Sequence, residues 1–248
     1  MDIGAVTAFF WMVRDREHIL RLLEWASGAR MLYNYIWVGG LFYDLPIGFE
    51  DRCQEFVQYL KPKLKEFEQV VMENKIFVDR TANVGVLPLD LAINYGITGP
   101  MLRGSGLKYD LRRADGYSVY PELDFEVPVG KGEVRVRECY ESIRIIEQSL
   151  ERLTGDLKRT RDFDPREMVP KKIRPKAQDL YVRAENPKGE TGFFFRADGR
   201  SDIPFRCKAR GASFTNLSII NELAKGGLIA DLIAIFGSID IVLGEVDR

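Results

Sequence analysis

Val136-Arg137-Glu138-Cys139-Tyr140-Glu141-Ser142-Ile143-Arg144-Ile145-Ile146-Glu147-Gln148-Ser149-Leu150-Glu151-Arg152-Leu153 is the stretch whose periodicity decides the architecture. Val136, Cys139, Ile143, Ile146, Leu150 and Leu153 recur three and four residues apart, while Arg137, Glu141, Arg144 and Glu151 fall on other faces. That is the signature of a helix with one apolar stripe. Such a stripe has to be covered by further helices, so a helix bundle is the natural architecture for the first two thirds of the chain.

Upstream, the pattern repeats twice. A helix is expected from about Glu50 to Asn74, with Phe56, Val57, Leu60, Leu64, Phe67 and Val71 on one face and a kink at Pro62. An earlier helix carries Phe9, Met12, Val13, Ile19, Leu20, Leu23 and Ala26, with Thr7 as its cap and Gly28 at its end. Arg14-Asp15-Arg16-Glu17 interrupts it. Four consecutive residues circle a helix, so one must fall on the apolar stripe. Arg16 is the expected one, either snorkelling or in a buried ion pair, and His18 is expected at the surface. The aromatic-rich segment from Ser27 to Gly40 reads by default as core filling. Between Asn83 and Gly106 a short helix is expected, with Pro88 in its first turn and Gly96 at its C-cap. A loop from Gly99 to Gly106 then carries one buried arginine, Arg103. Spaced glycines with an arginine can cradle a phosphate, but no strand precedes this loop and no GK[ST] occurs, so as a nucleotide loop the signal is weak.

Downstream, residues 156–176 hold eight basic and four acidic residues and read as an exposed loop. From Leu180 the period shifts towards two. Tyr181-Val182-Arg183-Ala184, Gly192-Phe193-Phe194-Phe195-Arg196, the turn Ala197-Asp198-Gly199-Arg200 and Ile203 to Lys208 read as a hairpin. The chain ends in a nearly apolar run from Leu228 to Leu243, followed by Gly244-Glu245-Val246-Asp247-Arg248. Crossing a bilayer takes about 20 apolar residues, and this run is shorter and holds two aspartates. It is therefore expected as a buried central layer of the fold, as an amphipathic core helix and a terminal strand. The fold class is α+β, mainly α: one domain over 1–248, with a bundle at 1–153, a loop at 154–178, and a hairpin region with a buried C-terminal segment at 179–248.

Composition narrows the chemistry. Of 248 residues, 36 are Lys or Arg and 37 Asp or Glu, so no net field attracts nucleic acid. Cys53, Cys139 and Cys207 lie far apart without a CxxC pair, and His18 is the only histidine. No local metal site can be assembled from these. The start of the sequence shows no secretory leader.

Asp2-Ile3-Gly4-Ala5, Ser27-Gly28-Ala29-Arg30-Met31, Met101-Leu102-Arg103-Gly104-Ser105-Gly106, Pro187-Lys188-Gly189-Glu190 and Asp240-Ile241-Val242-Leu243-Gly244-Glu245-Val246-Asp247-Arg248 occur in this order. Together they resemble the 49 kDa subunit family of respiratory complex I, NADH-quinone oxidoreductase, which is itself similar to the large subunit of nickel-iron hydrogenases. The resemblance covers essentially the whole chain and implies a hydrogenase large-subunit-like helix bundle.

The resemblance also implies a role: helping to form the cavity where quinone is reduced by electrons from an iron-sulfur cluster held in a neighbouring subunit. Asp2 matches a proton-donating, quinone-binding position, and Val242 and Leu243 match the cavity lining. Arg30 and Leu32 match positions next to the cluster, and no metal is held in this chain. Leucine at position 32, where the family has a histidine, cannot titrate and would suit a low-potential quinone such as menaquinone. The partners are the other complex I subunits, above all the cluster-bearing one, and the membrane arm, and the place is the cytoplasmic face of the cell membrane.

Family members carry a long segment before the Asp-Ile-Gly-Ala motif, with a histidine and a tyrosine for the quinone headgroup. They also have a histidine where Leu32 stands, an arginine where Trp37 stands, and an Asp-Arg-Tyr segment that is missing between Gly130 and Val136. The chain thus reads as lacking the N-terminal part of the family. A subunit of a membrane-bound hydrogenase, or a structural assembly subunit without catalysis, are the alternatives. Two CxxC pairs would be needed for the first.

Overall fold

The computed structural model describes residues 4, 6–130, 134–160, 167–170 and 172–247. In chain order it holds α1 (Val6–Ser27), a small hairpin of β1 (Ile36–Trp37) and β2 (Gly40–Leu41), and α2 (Phe49–Phe67), continued by a π turn over Glu68–Met72. Next come α3 (Lys75–Thr81), α4 (Leu89–Asn94), α5 (Pro100–Gly104), α6 (Leu111–Ala114), a 3-10 turn at Tyr120–Glu122 and α7 (Val134–Thr160). The sheet strands β3 (Gln178–Asn186), β4 (Gly189–Ala197) and β5 (Arg206–Arg210) precede α8 (Ala212–Leu217), α9 (Ile220–Leu223), α10 (Ile229–Ile239) and α11 (Leu243–Val246). The protein is α+β and mainly α. It divides into two compact units: residues 1–74 with 142–171, and residues 75–141 with 172–248.

In the first unit α1 packs on α2, and Leu20, Phe56, Val57, Leu64, Ile143 and Leu150 are buried. Gly28, at φ +79°, ends α1 as its left-handed residue. Thr7 lies inside the helix, which is already formed at Val6, so it is not the cap. Of the four consecutive charges the buried one is Asp15, and Arg16 is exposed. The physical reason lies across the helix contact: the Tyr59 hydroxyl of α2 donates to Asp15 Oδ1 at 2.8 Å, and Arg14 Nε donates to the same oxygen at 2.8 Å. Short Asp15 can be satisfied there. Burial pushes its carboxyl up, but the bonds from Arg14 and Tyr59 more than offset this and hold it below the ordinary value of 3.8.

His18 is half-buried rather than at the surface, with its ring 4.7 Å from Tyr59 and 6.3 Å from Phe56. Pro62 lies within α2, and the break in regularity follows it as the π turn, closed by Glu73 N–H on Glu68 O at 3.1 Å. The segment 31–47 does not fill a core. Met31, Leu32, Tyr33, Ile36, Val38, Tyr43 and Ile47 are all exposed, because the two-residue strands β1 and β2 offer no second layer to cover them. The long helix continues to Thr160, past the point where a loop is expected from the sequence.

In the second unit a core forms around Ala92, Ile97, Leu102 and Ile219. Pro88 is the N-cap of α4 rather than a first-turn residue. The expected loop at 99–106 is instead opened by a helical turn, α5, with Pro100 at its start. The expected hairpin is a three-stranded antiparallel sheet in the order β3-β4-β5, pairing Leu180 with Phe195, Val182 with Phe193, and Phe195 with Cys207. Alternation puts Leu180, Val182, Phe193, Phe195 and Cys207 on one face, and all five are exposed. The opposite face carries Arg183, Glu185, Glu190 and Arg210, whose side chains turn into the unit.

The C-terminal run is not a buried central layer. In α10 only Ile235 and Ile239, four residues apart, are buried, and Ile229 is 92% exposed. A helix apolar on all sides cannot be covered by neighbours on one side, and here α3, α8 and α9 supply that one side.

Candidate functional site

In the second unit the motifs at 187–190 and 240–248 meet, beside the Thr98-Gly99 turn that leads into the motif at 101–106, and glycine makes that approach possible. Gly99 sits at φ +75° and Gly189 at φ +133°. A Cβ on Gly99 would lie 2.5 Å from Gly189 Cα, and one on Gly189 would lie 2.6 Å from Thr98 Oγ1. Only backbone fits this crossing. Glu190 N–H donates to Thr98 Oγ1 at 3.0 Å, and Thr98 N–H donates to Asn216 Oδ1 at 3.3 Å. Asn216 Nδ2 donates in turn to Thr98 O at 3.3 Å and Lys188 O at 3.1 Å. Asn216 is almost wholly buried, so its amide satisfies backbone groups that water cannot reach.

From this seam Lys188 Nζ reaches Asp240 Oδ2 at 2.9 Å. Asp240 takes the left-handed conformation, φ +55°, that ends α10. Two residues on, Val242 N–H donates to Ser213 Oγ at 3.2 Å, and the Ser213 hydroxyl donates to Glu245 Oε2. The turn carrying Val242 and Leu243 is therefore tied by hydrogen bonds, while the two side chains stay 45% and 67% exposed.

Beside the seam, Arg103 from α5 is 2% exposed. Its Nε donates to Glu138 at 2.6 Å, and its Nη1 donates to Glu185 at 2.8 Å and to Tyr109 O at 3.1 Å, with Asp110 at 3.5 Å. Glu185 also accepts from Leu111 N–H at 3.1 Å. Burial pushes the Glu185 carboxyl up despite Arg103. Asp110 is also pushed up by burial, but the Arg112 bonds outweigh this and hold it low. A cleft of about 420 Å³ beside this cluster is lined by Lys108, Tyr109, Asp110, Arg113, Phe125 and Val127, and it includes none of the expected site residues.

The residues expected at the site are thus divided. Val242 and Leu243 share the tied turn of the second unit. Arg30 and Leu32 belong to the first, where Arg30 pairs with Glu17 at 2.5 Å and Glu24 at 3.4 Å at the surface. Leu32 is 99% exposed at φ +56°. Asp2 lies outside the described residues. Among the described residues no cluster of His, Cys, Asp and Glu side chains is arranged to hold a metal, and no helix is long and apolar enough to cross a membrane. Ser213, Asn216 and Thr98 carry no signal of their own in the sequence. What the sequence does show is the paired glycines of Thr-Gly-Pro and Lys-Gly-Glu, which mark a close backbone approach without naming what approaches.

Residues 2–248 match the family described as the respiratory-chain NADH dehydrogenase 49 kDa subunit. The chain belongs to that family. It is 67% identical over 260 aligned positions to the first D-type subunit of the NADH-quinone oxidoreductase of Cytophaga hutchinsonii, covering all of this chain and 66% of that relative. It is 64% identical to the D-type subunit of the same enzyme from Amoebophilus asiaticus and 56% identical to that from Chlorobium phaeovibrioides, with all of this chain and 64% of each relative covered. The chain therefore spans about two thirds of the length of the curated relatives it matches. The motifs that meet in the second unit lie within that matched region.

Proposed function

We propose that this chain acts as the quinone-site subunit of a proton-pumping NADH-quinone oxidoreductase. Family membership over residues 2–248 carries the reading, and the tied, solvent-facing Val242 and Leu243 support it. Reducing a quinone requires electrons and protons in equal number, delivered in a narrow apolar space that keeps water from the reacting oxygens. In this reading Val242 and Leu243 form part of the apolar wall, and Asp2 supplies or relays the proton. Arg30 and Leu32 face an iron-sulfur cluster held by a neighbouring subunit, which delivers the electrons. The chain itself binds neither NADH nor metal. Its partners are the cluster-bearing subunit and the membrane arm, at the cytoplasmic face of the cell membrane.

The test is Asp2→Asn in the assembled enzyme. Quinone reductase activity should fall while NADH oxidation by an artificial acceptor at the flavin stays intact. Equal loss of both activities would make Asp2 structural. A second measurement addresses Leu32, which cannot titrate. A redox titration of the neighbouring cluster at pH 6 and pH 8, spanning the usual histidine value of about 6.5, should show little pH dependence. Leu32→His should introduce it, because an imidazolium favours the reduced cluster.

A further inference from the structure

The turn that presents Val242 and Leu243 buries no side chain of its own, and what it packs on is α8, the helix that carries Ser213. Val242 is partly and Leu243 largely exposed, and α11, which begins at Leu243, is four residues long with none of them buried. Helices this short have no stability of their own, so something else must fix the turn. Ser213 is 1% exposed and uses both sides of its hydroxyl on this one segment. The oxygen accepts the Val242 N–H at 3.2 Å, and the hydrogen goes to Glu245 Oε2, so the two contacts bracket Leu243.

Glu245 in turn folds over Gly211, where an added Cβ would lie 2.5 Å from its Oε1 and 2.7 Å from its Cγ. Upstream, Lys188 holds Asp240. Three residues after Ser213 on the same helix, Asn216 is bonded to the backbone of Thr98 and Lys188. Ser213 thus ties the turn to the buried seam by hydrogen bonds.

We infer that Ser213 is a positioning residue, which through Val242 N–H and Glu245 sets where Val242 and Leu243 stand against the quinone. The inference rests on the reading of those two residues as cavity wall. Ser213 itself does not touch the substrate. Removing its hydroxyl takes one hydrogen bond from the Val242 N–H and one from Glu245, so the wall loses its placement while the rest of the unit keeps its core.

The experiment measures KM and kcat for a short-chain quinone in the assembled enzyme, alongside NADH oxidation by an artificial acceptor. Ser213→Ala should raise the quinone KM about tenfold, the equivalent of one lost hydrogen bond, with the artificial-acceptor rate unchanged. Glu245→Gln should raise it about threefold, since one hydrogen bond then becomes neutral. Ser213→Thr, which keeps the hydroxyl, should restore most of the affinity. Leu243→Ala separates the two ideas. If it raises the quinone KM while Ser213→Ala and Glu245→Gln do not, the positioning role is overturned and the cavity reading stands. If Leu243→Ala also leaves the KM unchanged, the cavity reading of this turn fails. Should Ser213→Ala not assemble, Glu245→Gln and Ser213→Thr carry the test, and an equal fall in both activities overturns the inference.

Discussion

Within the second unit, two regions reverse the usual distribution of polarity. Around Arg103, a guanidinium and the carboxylates of Asp110 and Glu185 are almost fully removed from water, with Glu138 at their edge. From Leu228 to Leu243, Leu228, Ile229, Ile233, Phe236, Val242 and Leu243 face it. Buried charge persists only where it is met by opposite charge and hydrogen bonds, and Arg103 has carboxylates on three sides. Exposed apolar surface of this extent is the kind that a contact with another body covers, as the proposed function requires. The same contrast runs through the sheet, where Glu185 and Glu190 turn inward while the face of Leu180, Val182, Phe193 and Phe195 is open. The unit is built around polar joints and keeps much of its apolar surface outward.

The strongest challenge to that contrast is Arg103→Met. Losing the guanidinium takes from the buried Glu185 the cation bonded to it, and urea denaturation should show a loss of about 3–5 kcal/mol. A loss below about 1 kcal/mol would show the cluster to be no joint. Next in size is a pair within α10. Ile235→Ala should cost about 2–4 kcal/mol by leaving a cavity against Gly85, whereas Ile229→Ala should stay within about 0.5 kcal/mol. Equal costs would mean that the outer face of α10 is packed after all.

A smaller effect sharpens the comparison from the first unit, where Asp15 is a buried charge on a smaller scale. Tyr59→Phe should lower stability at pH 7 by about 1 kcal/mol, one hydrogen bond to a buried carboxylate. Because the folded-state value of Asp15 lies below 3.8, its contribution is present above about that pH and is lost as the pH falls through the folded value. The gap between wild type and Tyr59→Phe should therefore close on acidification, as read from urea midpoints across pH. The smallest change expected is Leu32→Asn. Its left-handed backbone strains leucine and suits asparagine, so the thermal midpoint should rise by the equivalent of up to about 1 kcal/mol.

Much of the scaffold is legible along the chain. The stripe of α7, the stop at Gly28, the burial of Arg103 and the shift of period at Leu180 all follow from local spacing and side-chain size. The site is legible only in pieces. The motifs at 101–106, 187–190 and 240–248 can be marked one by one, but Arg103 finds Glu138 and Glu185 35 and 82 residues away, and Asn216 finds Thr98 at a separation of 118. No local period encodes such pairings. The terminal run misleads for a related reason: apolar composition says that a surface avoids water, but not whether the same unit supplies the cover.

By itself the sequence determined which residues share a helix stripe or a strand face, because 3.6 and 2 residues per repeat follow from backbone geometry alone. It also marked the left-handed glycine that ends α1, Gly28. Only the tertiary structure decided which of Arg14, Asp15, Arg16 and Glu17 turns inward, which face of the sheet is covered, and that Ser213 holds the turn of Val242 and Leu243. Those outcomes depend on groups brought in from distant parts of the chain: a buried polar side chain is stable only where such a group meets its hydrogen bonds.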